Sequence, residues 1–147
     1  ILWGGIAGGM PILAGRTLGA GQVEHVGALL ALAVLLWIPT HIMTYGIKHA
    51  ADYKRAGVPT FANHYGVRTT RLIISLSTIL AVLTMAVSVY LIEIQAHCLY
   101  ATVGLGVALA ILTGASAVFP SPRLNFGVFK FASVYMLATM VLIIFGA

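Results

Sequence analysis

The chain has 147 residues, of which 61% are hydrophobic and only 7% are charged, and its mean hydropathy is +1.04. Soluble domains carry about 25% charged residues, so this composition excludes a soluble protein and predicts an integral membrane protein. We interpret the net charge of +5 as a topology signal, because packed spanning helices lack the exposed basic surface that nucleic-acid binding needs. A spanning helix takes roughly 20 residues, so we predict an all-α fold: a polytopic transmembrane bundle of four to five spanning helices.

The first segment, residues 1–18, is apolar and rich in glycine. Its glycines form two overlapping GxxxG spacings, Gly4 with Gly8 and Gly5 with Gly9. These spacings favour close approach of another helix, and Pro11 predicts a kink. The chain opens on Ile1 without a charged segment ahead of an apolar one, so we interpret it as a fragment that lacks its N-terminal part.

Four more helices are expected, over residues 26–47, 69–92, 98–119 and 124–146. The basic residues fall mostly at one side of this arrangement, where they are Lys48, Lys54, Arg55, Arg68, Arg71, Arg123 and Lys130. Arg16 alone lies on the other side, so the positive-inside rule predicts that the richer side is cytoplasmic. The single cysteine, Cys98, can form no internal disulfide.

The segment His41–Tyr65 is the polar centre of the chain and contains its only aspartate, Asp52. If the helix continues out of the membrane, five polar side chains recur at spacings of four and three residues and share one face. They are His41, Tyr45, Lys48, Asp52 and Arg55. Gly57 and Pro59 then end the helix and turn the chain into a loop.

Cations, a carboxylate and an imidazole on one face are typical of a site for a charged ligand, most simply a diphosphate with its metal. Magnesium prefers oxygen ligands and bridges carboxylates to phosphates, a role open to Asp52. Lys48, Lys54 and Arg55 can neutralise phosphate charge. Two alternatives remain: the basic loop can be a topology signal or a contact with anionic lipid, and His41 can be a packed histidine.

Several runs of the sequence together resemble one family. They are DYKRAGVP at residues 52–59, WIPTH at 37–41, GGIAGGMP at 4–11 and FKFASVY at 129–135. On these runs the whole chain resembles the protoheme IX farnesyltransferases, or heme O synthases, of the UbiA-type intramembrane prenyltransferases. The resemblance implies the C-terminal half of a nine-helix bundle that transfers a farnesyl group from farnesyl diphosphate to a vinyl group of heme b, giving heme O.

The resemblance also implies roles for individual residues. Asp52 would be a magnesium ligand and, with Lys48 and Arg55, part of the catalytic group that stabilises the departing diphosphate. His41 would lie on the heme side. The further substrate-binding candidates are Tyr45, Tyr53, Lys54, His49 and His64.

The chain departs from the family pattern in two places. The Asp-rich motif of the family's N-terminal half is absent, and Ala51 stands where the family typically has a second acid before Tyr53. The missing N-terminal half of the same protein is therefore an expected partner, and we do not expect the chain to turn over substrate alone. We expect the Asp52 carboxylate to face an enclosed pocket.

Two other functions stay open. The acceptor can instead be a quinone-ring precursor or a glycerol-linked lipid, which the AGVP run at residues 56–59 disfavours. The chain can also be a non-catalytic membrane subunit that binds heme or lipid, which Ala51 favours. In every case we expect contact with membrane lipid, a multi-pass protein of the cell inner membrane, and a cytoplasmic site loop.

Overall fold

A computed structural model describes the backbone of residues 2–147 and the side chains from Gly4 onward. The described chain forms seven helices and contains no strand, which confirms the all-α class. The helices are α1 (Leu2–Ala20), α2 (His25–Lys48), α3 (Ala50–Arg55), α4 (Phe61–Tyr65), α5 (Val67–Leu91), α6 (Ala96–Val118) and α7 (Pro122–Gly146). The start of the first predicted helix, at Ile1, lies outside the described residues.

Among the described residues, four helices are long and apolar enough to cross a membrane: α2, α5, α6 and α7. The protein is therefore an integral membrane protein. Helix α2 is central, since it packs against α1, α5 and α7, while α6 packs between α5 and α7. The buried core between these helices includes Leu30, Met85, Val89, Leu109 and Tyr135.

Successive long helices run in opposite directions, so α2 and α6 end at the side of the bundle where α5 and α7 begin. Two side-chain bonds join these ends: Ser75 Oγ donates to Thr113 O at 3.2 Å, and Asn125 Nδ2 donates to Thr44 O at 2.8 Å. We call this side the basic end. Its cations are Lys48, Lys54, Arg55, Arg68, Arg71, Arg123 and Lys130.

Hydroxyl groups connect α2 to α5 near Pro39. Helix α2 continues through Pro39, which has no N–H to donate, and neighbouring helices commonly satisfy the carbonyls freed in this way. Ser77 Oγ donates to Leu36 O, the carbonyl next to the one that Pro39 frees, and the hydroxyls of Thr40 and Thr78 lie 2.8 Å apart. These bonds hold the helix end that carries the polar face.

The GxxxG region packs α1 against α2, and Gly9 is the glycine that lies against the backbone of α2. A Cβ added at Gly9 would lie 2.8 Å from the backbone oxygen of Ala31. Added Cβ atoms at Gly5 and Gly8 would meet the side chains of Leu35 and Ile38. At Gly4 the same atom would meet nothing within 4 Å, so three of the four GxxxG glycines lie in the contact.

We expect Gly9→Ala to lower the free energy of unfolding by about 1–3 kcal/mol, because the methyl group would meet backbone that cannot move aside easily. The measurement is the thermal unfolding midpoint in detergent. Gly4→Ala is the matched control and should leave the midpoint unchanged or raise it slightly, because alanine favours a helix more than glycine does. Equal midpoints for the two variants would contradict close packing at Gly9.

The other side of the bundle is closed by the turn between α5 and α6. Gln95 N donates to Gly146 O at 2.9 Å, which joins the start of α6 to the end of α7. Cys98 is a free cysteine with 4% of its surface exposed. A Cβ added at Gly146 would lie 2.9 Å from its sulfur. The thiol is therefore covered by the last turn of α7.

Candidate functional site

The segment that carries the predicted polar face is two helices, α2 and α3, rather than one. His49 lies between them with φ −105° and ψ 18°. Its N–H donates to Tyr45 O at 3.1 Å, and its carbonyl accepts from Tyr53 N at 3.0 Å, so the two helices follow one another almost without a break. The prediction of a single continuous helix was wrong at this residue. Gly57, with φ +67°, lies in the turn after α3.

Aromatic rings of α2 and α7 form a stack at the basic end. The His41 ring lies between Trp37, at a centroid distance of 4.9 Å, and Phe129, at 4.5 Å, with interplanar angles of 23° and 25°. Tyr45 extends the stack, 5.7 Å from Phe129. Phe126 lies beyond it, 6.0 Å from Phe129. We call these five residues the aromatic column.

His41 is also fixed by a hydrogen bond to α7. Its Nδ1 lies 3.2 Å from Ser133 Oγ, and that hydroxyl donates to Phe129 O at 3.0 Å. Because a serine hydroxyl has one hydrogen to give, this geometry favours donation from His41 Nδ1 to Ser133, which leaves Nε2 as an acceptor in the neutral ring. A ring held in this way leaves Nε2 as the nitrogen that can accept a hydrogen bond or coordinate a ligand.

Two lysines converge on the end of the column. Lys48 Nζ lies 3.9 Å from the centroid of the Phe126 ring, and Lys130 Nζ lies 4.7 Å from it. Cation–π contacts stabilise each ammonium group, but two like charges near one ring repel each other. An anion bound there would relieve that repulsion, so the pair is a candidate anion site.

Sequence reasoning did not select the residues that α7 contributes: Phe126, Phe129, Lys130 and Ser133. They recur at spacings of three, one and three residues, which places them on one face of a helix. That spacing was visible in the sequence, but nothing in it indicated that this face meets α2.

Asp52 lies on α3 with 60% of its side chain exposed. Its carboxylate accepts from Arg55 and lies 3.5 Å from His49 Nδ1. The hydrogen bond from Arg55, followed by that from His49, lowers the pKa of Asp52 below 3.8. Asp52 lines none of the five main cavities among the described residues, and its carboxylate is exposed where an enclosed pocket was expected.

The lowered pKa of Asp52 predicts that its interaction with Arg55 is present above pH 3.8 and is lost only as the pH falls through the lower folded value. Arg55→Gln should raise the pKa of Asp52 toward 3.8. The carboxyl carbon of labelled aspartate, followed by NMR against pH, measures this directly, since the chain contains one aspartate. Identical titration curves for both proteins would contradict the pairing.

A cavity of about 240 Å³ lies beside the column, between the end of α2 and the loop that precedes α5. Tyr45 and Tyr53 line it together with Pro59, Thr60 and Phe61. This cavity therefore takes in the two tyrosines that were predicted to bind substrate, but not Asp52.

The loop around this cavity is folded. Thr60 caps α4 by accepting from Asn63 N at 3.3 Å, and Asn63 Nδ2 donates to Ala50 O at 3.1 Å. The second bond holds α4 against α3.

The remaining candidates lie further out. Lys54 is exposed on α3, and His64 is exposed on α4, where its ring meets Tyr65 edge-on at 4.5 Å. Within residues 2–147, His, Cys, Asp and Glu side chains nowhere gather in a group of three that could hold a metal ion. The described residues thus provide an aromatic and basic surface with a single carboxylate next to it.

The sequence is similar to proteins named protoheme IX farnesyltransferase. The protein from Pyrobaculum arsenaticum is 40% identical over 118 residues, which are 80% of this chain and 42% of that protein. The protein from Alkalilimnicola ehrlichii is 37% identical over 92% of this chain and 45% of its own length. The protein from Thioalkalivibrio sulfidiphilus is 30% identical over 98% of this chain and 48% of its own length.

The chain thus spans less than half the length of these curated relatives. No solved structure matches it. The sequence pattern of the UbiA prenyltransferase family matches residues 1–134, which is most of the chain. The chain therefore belongs to the UbiA prenyltransferase family.

Proposed function

We propose that this chain is the C-terminal half of an intramembrane prenyltransferase that transfers a farnesyl group from farnesyl diphosphate to a vinyl group of heme b, forming heme O. The observation that carries the proposal is the aromatic column, with two lysines at its end and Asp52 on the helix that follows. A flat aromatic acceptor and an anionic donor need these two kinds of surface side by side. The similar proteins are named for protoheme IX and for farnesyl transfer, which supports heme b as the acceptor and a farnesyl donor.

The donor diphosphate would bind at the basic end. Lys48, Lys54 and Arg55 would stabilise the negative charge that develops on the leaving diphosphate as the bond to the farnesyl carbon breaks. Lys130 adds a fourth cation, because it shares the Phe126 ring with Lys48. The electron-rich vinyl group would then attack the farnesyl carbon as its bond to diphosphate breaks. The positive charge left on the vinyl carbon next to the porphyrin would be quenched by water, with loss of a proton.

Magnesium fits this site in part. The ion is usually held by one or two carboxylates together with substrate phosphates and water, and Asp52 supplies one exposed carboxylate of that set. Its lowered pKa keeps the carboxylate ionised at neutral pH. When bound, magnesium would neutralise diphosphate charge, and Asp52 would hold it directly or through water.

The acceptor would lie along the aromatic column. Stacked rings suit a porphyrin face, and His41 would face the heme iron or a propionate through its Nε2 atom. Tyr45 would border the acceptor and the cavity that Tyr53 also lines. His49 would act through Asp52, which it contacts, whereas His64 would be a loop residue near the membrane boundary.

The rest of the longer protein would complete the site. In this proposal the exposed side of Asp52 faces the N-terminal half, which would supply further carboxylates for the metal. The excess of basic residues at the basic end supports a cytoplasmic site loop in the cell inner membrane.

The test uses membranes that contain the full-length protein, supplied with farnesyl diphosphate, heme b and Mg²⁺. We expect a product whose mass exceeds that of heme b by one farnesyl group and one hydroxyl group. A prenylated quinone precursor or glycerol-linked lipid formed in its place would show that the acceptor is wrong. Heme binding with no product from any acceptor would show a non-catalytic heme-binding protein.

A further inference from the structure

A second basic site lies away from the aromatic column. A groove of about 650 Å³ runs between the start of α5 and the end of α6. Arg68 and Arg71 line it, and its remaining lining is apolar, including Leu72, Val118 and Pro120. The groove contains none of the residues placed above in prenyl transfer.

Arg71 carries a donor without an acceptor. Its Nε atom is buried, and no hydrogen-bond partner for it exists among the described residues. Leaving a buried donor unsatisfied costs about 1–3 kcal/mol, and more for a charged group. The Arg71 guanidinium therefore lacks an acceptor, and an anion bound in the groove would supply one when the side chain turns its Nε toward the groove.

None of the chain's acidic side chains is placed to pair with Arg68 or Arg71. Of its three acidic residues, Glu24 pairs with Arg16 and Asp52 pairs with Arg55. Glu93 follows the far end of α5, a helix of 25 residues, and at 1.5 Å per residue that end is roughly 35 Å away. The first turn of α5 adds unpaired backbone N–H groups, which also favour an anion.

The surface next to the two arginines is apolar. Leu72 and Leu76, one helical turn apart, are 59% and 60% exposed, and Val118 across the groove is 69% exposed. A soluble anion would gain nothing from these side chains. A molecule with a phosphate at one end and a hydrocarbon chain behind it would contact both parts of the groove.

We propose that the groove between α5 and α6 binds the phosphate of an anionic phospholipid, with Arg68 and Arg71 on the headgroup and an acyl chain along Leu72 and Leu76. Basic pockets between spanning helices commonly bind such headgroups. This proposal is independent of the prenyl-transfer site.

The test is native mass spectrometry of the full-length protein, released into detergent from vesicles of equimolar phosphatidylcholine and phosphatidylglycerol. The measured quantity is the fraction of protein that retains one phosphatidylglycerol. Arg71→Gln should lower this affinity by about tenfold, since a charge-assisted hydrogen bond is worth roughly that factor. Arg68→Gln, at an exposed position, should weaken retention without any effect on folding.

Lys54→Gln is the control, because it removes one positive charge at the basic end from an exposed side chain outside this groove. Equal loss with Lys54→Gln, or equal retention of phosphatidylcholine, would overturn a specific site. A second arm adds inorganic phosphate. If phosphate binds at Arg71 while phosphatidylglycerol is not retained, the ligand is a soluble phosphate and the lipid assignment is wrong.

Discussion

Asp52→Asn is expected to lower the rate of farnesyl transfer by at least about a hundredfold, the typical effect of removing one group that stabilises a developing charge. Asp52 is the only carboxylate at the basic end, so no other acidic side chain of this chain can take over a magnesium ion. The measurement is the rate of farnesylated heme formation in membranes, with protein quantity matched between variants.

The control for this experiment is Glu93→Gln, which removes a carboxylate at the opposite end of α5 and should leave the rate unchanged. Asp52 is exposed, so Asp52→Asn should insert and fold normally, and its thermal midpoint in detergent should match that of the unmodified protein. Turnover retained by Asp52→Asn would show that Asp52 is not a metal ligand.

His41→Ala is expected to weaken heme b binding by about tenfold or more, because it removes both a ring of the aromatic column and the proposed contact to iron or propionate. The measurement is titration of the purified full-length protein with heme b, followed by the heme absorption spectrum. His97→Ala, at the other end of the bundle on α6, is the matched control and should bind normally.

A second variant separates binding from packing. His41→Phe keeps a ring between Trp37 and Phe129 but removes both nitrogens. We expect it to bind heme b more weakly than the unmodified protein but less weakly than His41→Ala, because it keeps the ring and loses only the nitrogen contact, and to unfold closer to the unmodified protein than His41→Ala does. If His41→Phe binds heme b normally, His41 is a packing residue and not a heme contact.

The fold class could be predicted because hydropathy and length decide it in a membrane. Apolar segments of spanning length have only helices or closed barrels available to them. The observed ends of the long helices, for example His25–Lys48 and Val67–Leu91, lie within about two residues of the predicted ones. Gly9 was part of the predicted contact, because glycines spaced four residues apart lack the side chains that would keep two helices from packing closely.

The candidate site could be predicted only where it lies on one element. Helical spacing indicated that His41, Tyr45 and Lys48 share a face, but it carries no information on which helix that face meets. The contribution of α7, with Phe129 against His41 and Lys130 beside Lys48, depends on tertiary packing.

Local conformation limited the prediction in a second way. The helix break at His49 has no glycine or proline to indicate it, so the sequence contained no signal for it. The exposure of Asp52 also depends on neighbours that are distant in the chain. The sequence thus predicted the chemistry of single residues but not which residues surround them in the fold.

The covered thiol of Cys98 has a practical consequence for mapping the orientation of the protein. A buried sulfur reacts slowly with maleimides, so cysteines introduced at the exposed Ala56 and at Glu93 would be alkylated against a nearly silent background from this chain. A reagent that cannot cross the bilayer labels only the outer side of intact cells and only the cytoplasmic side of inverted vesicles. Comparing the two labelling patterns therefore shows which of these two turns faces the cytoplasm.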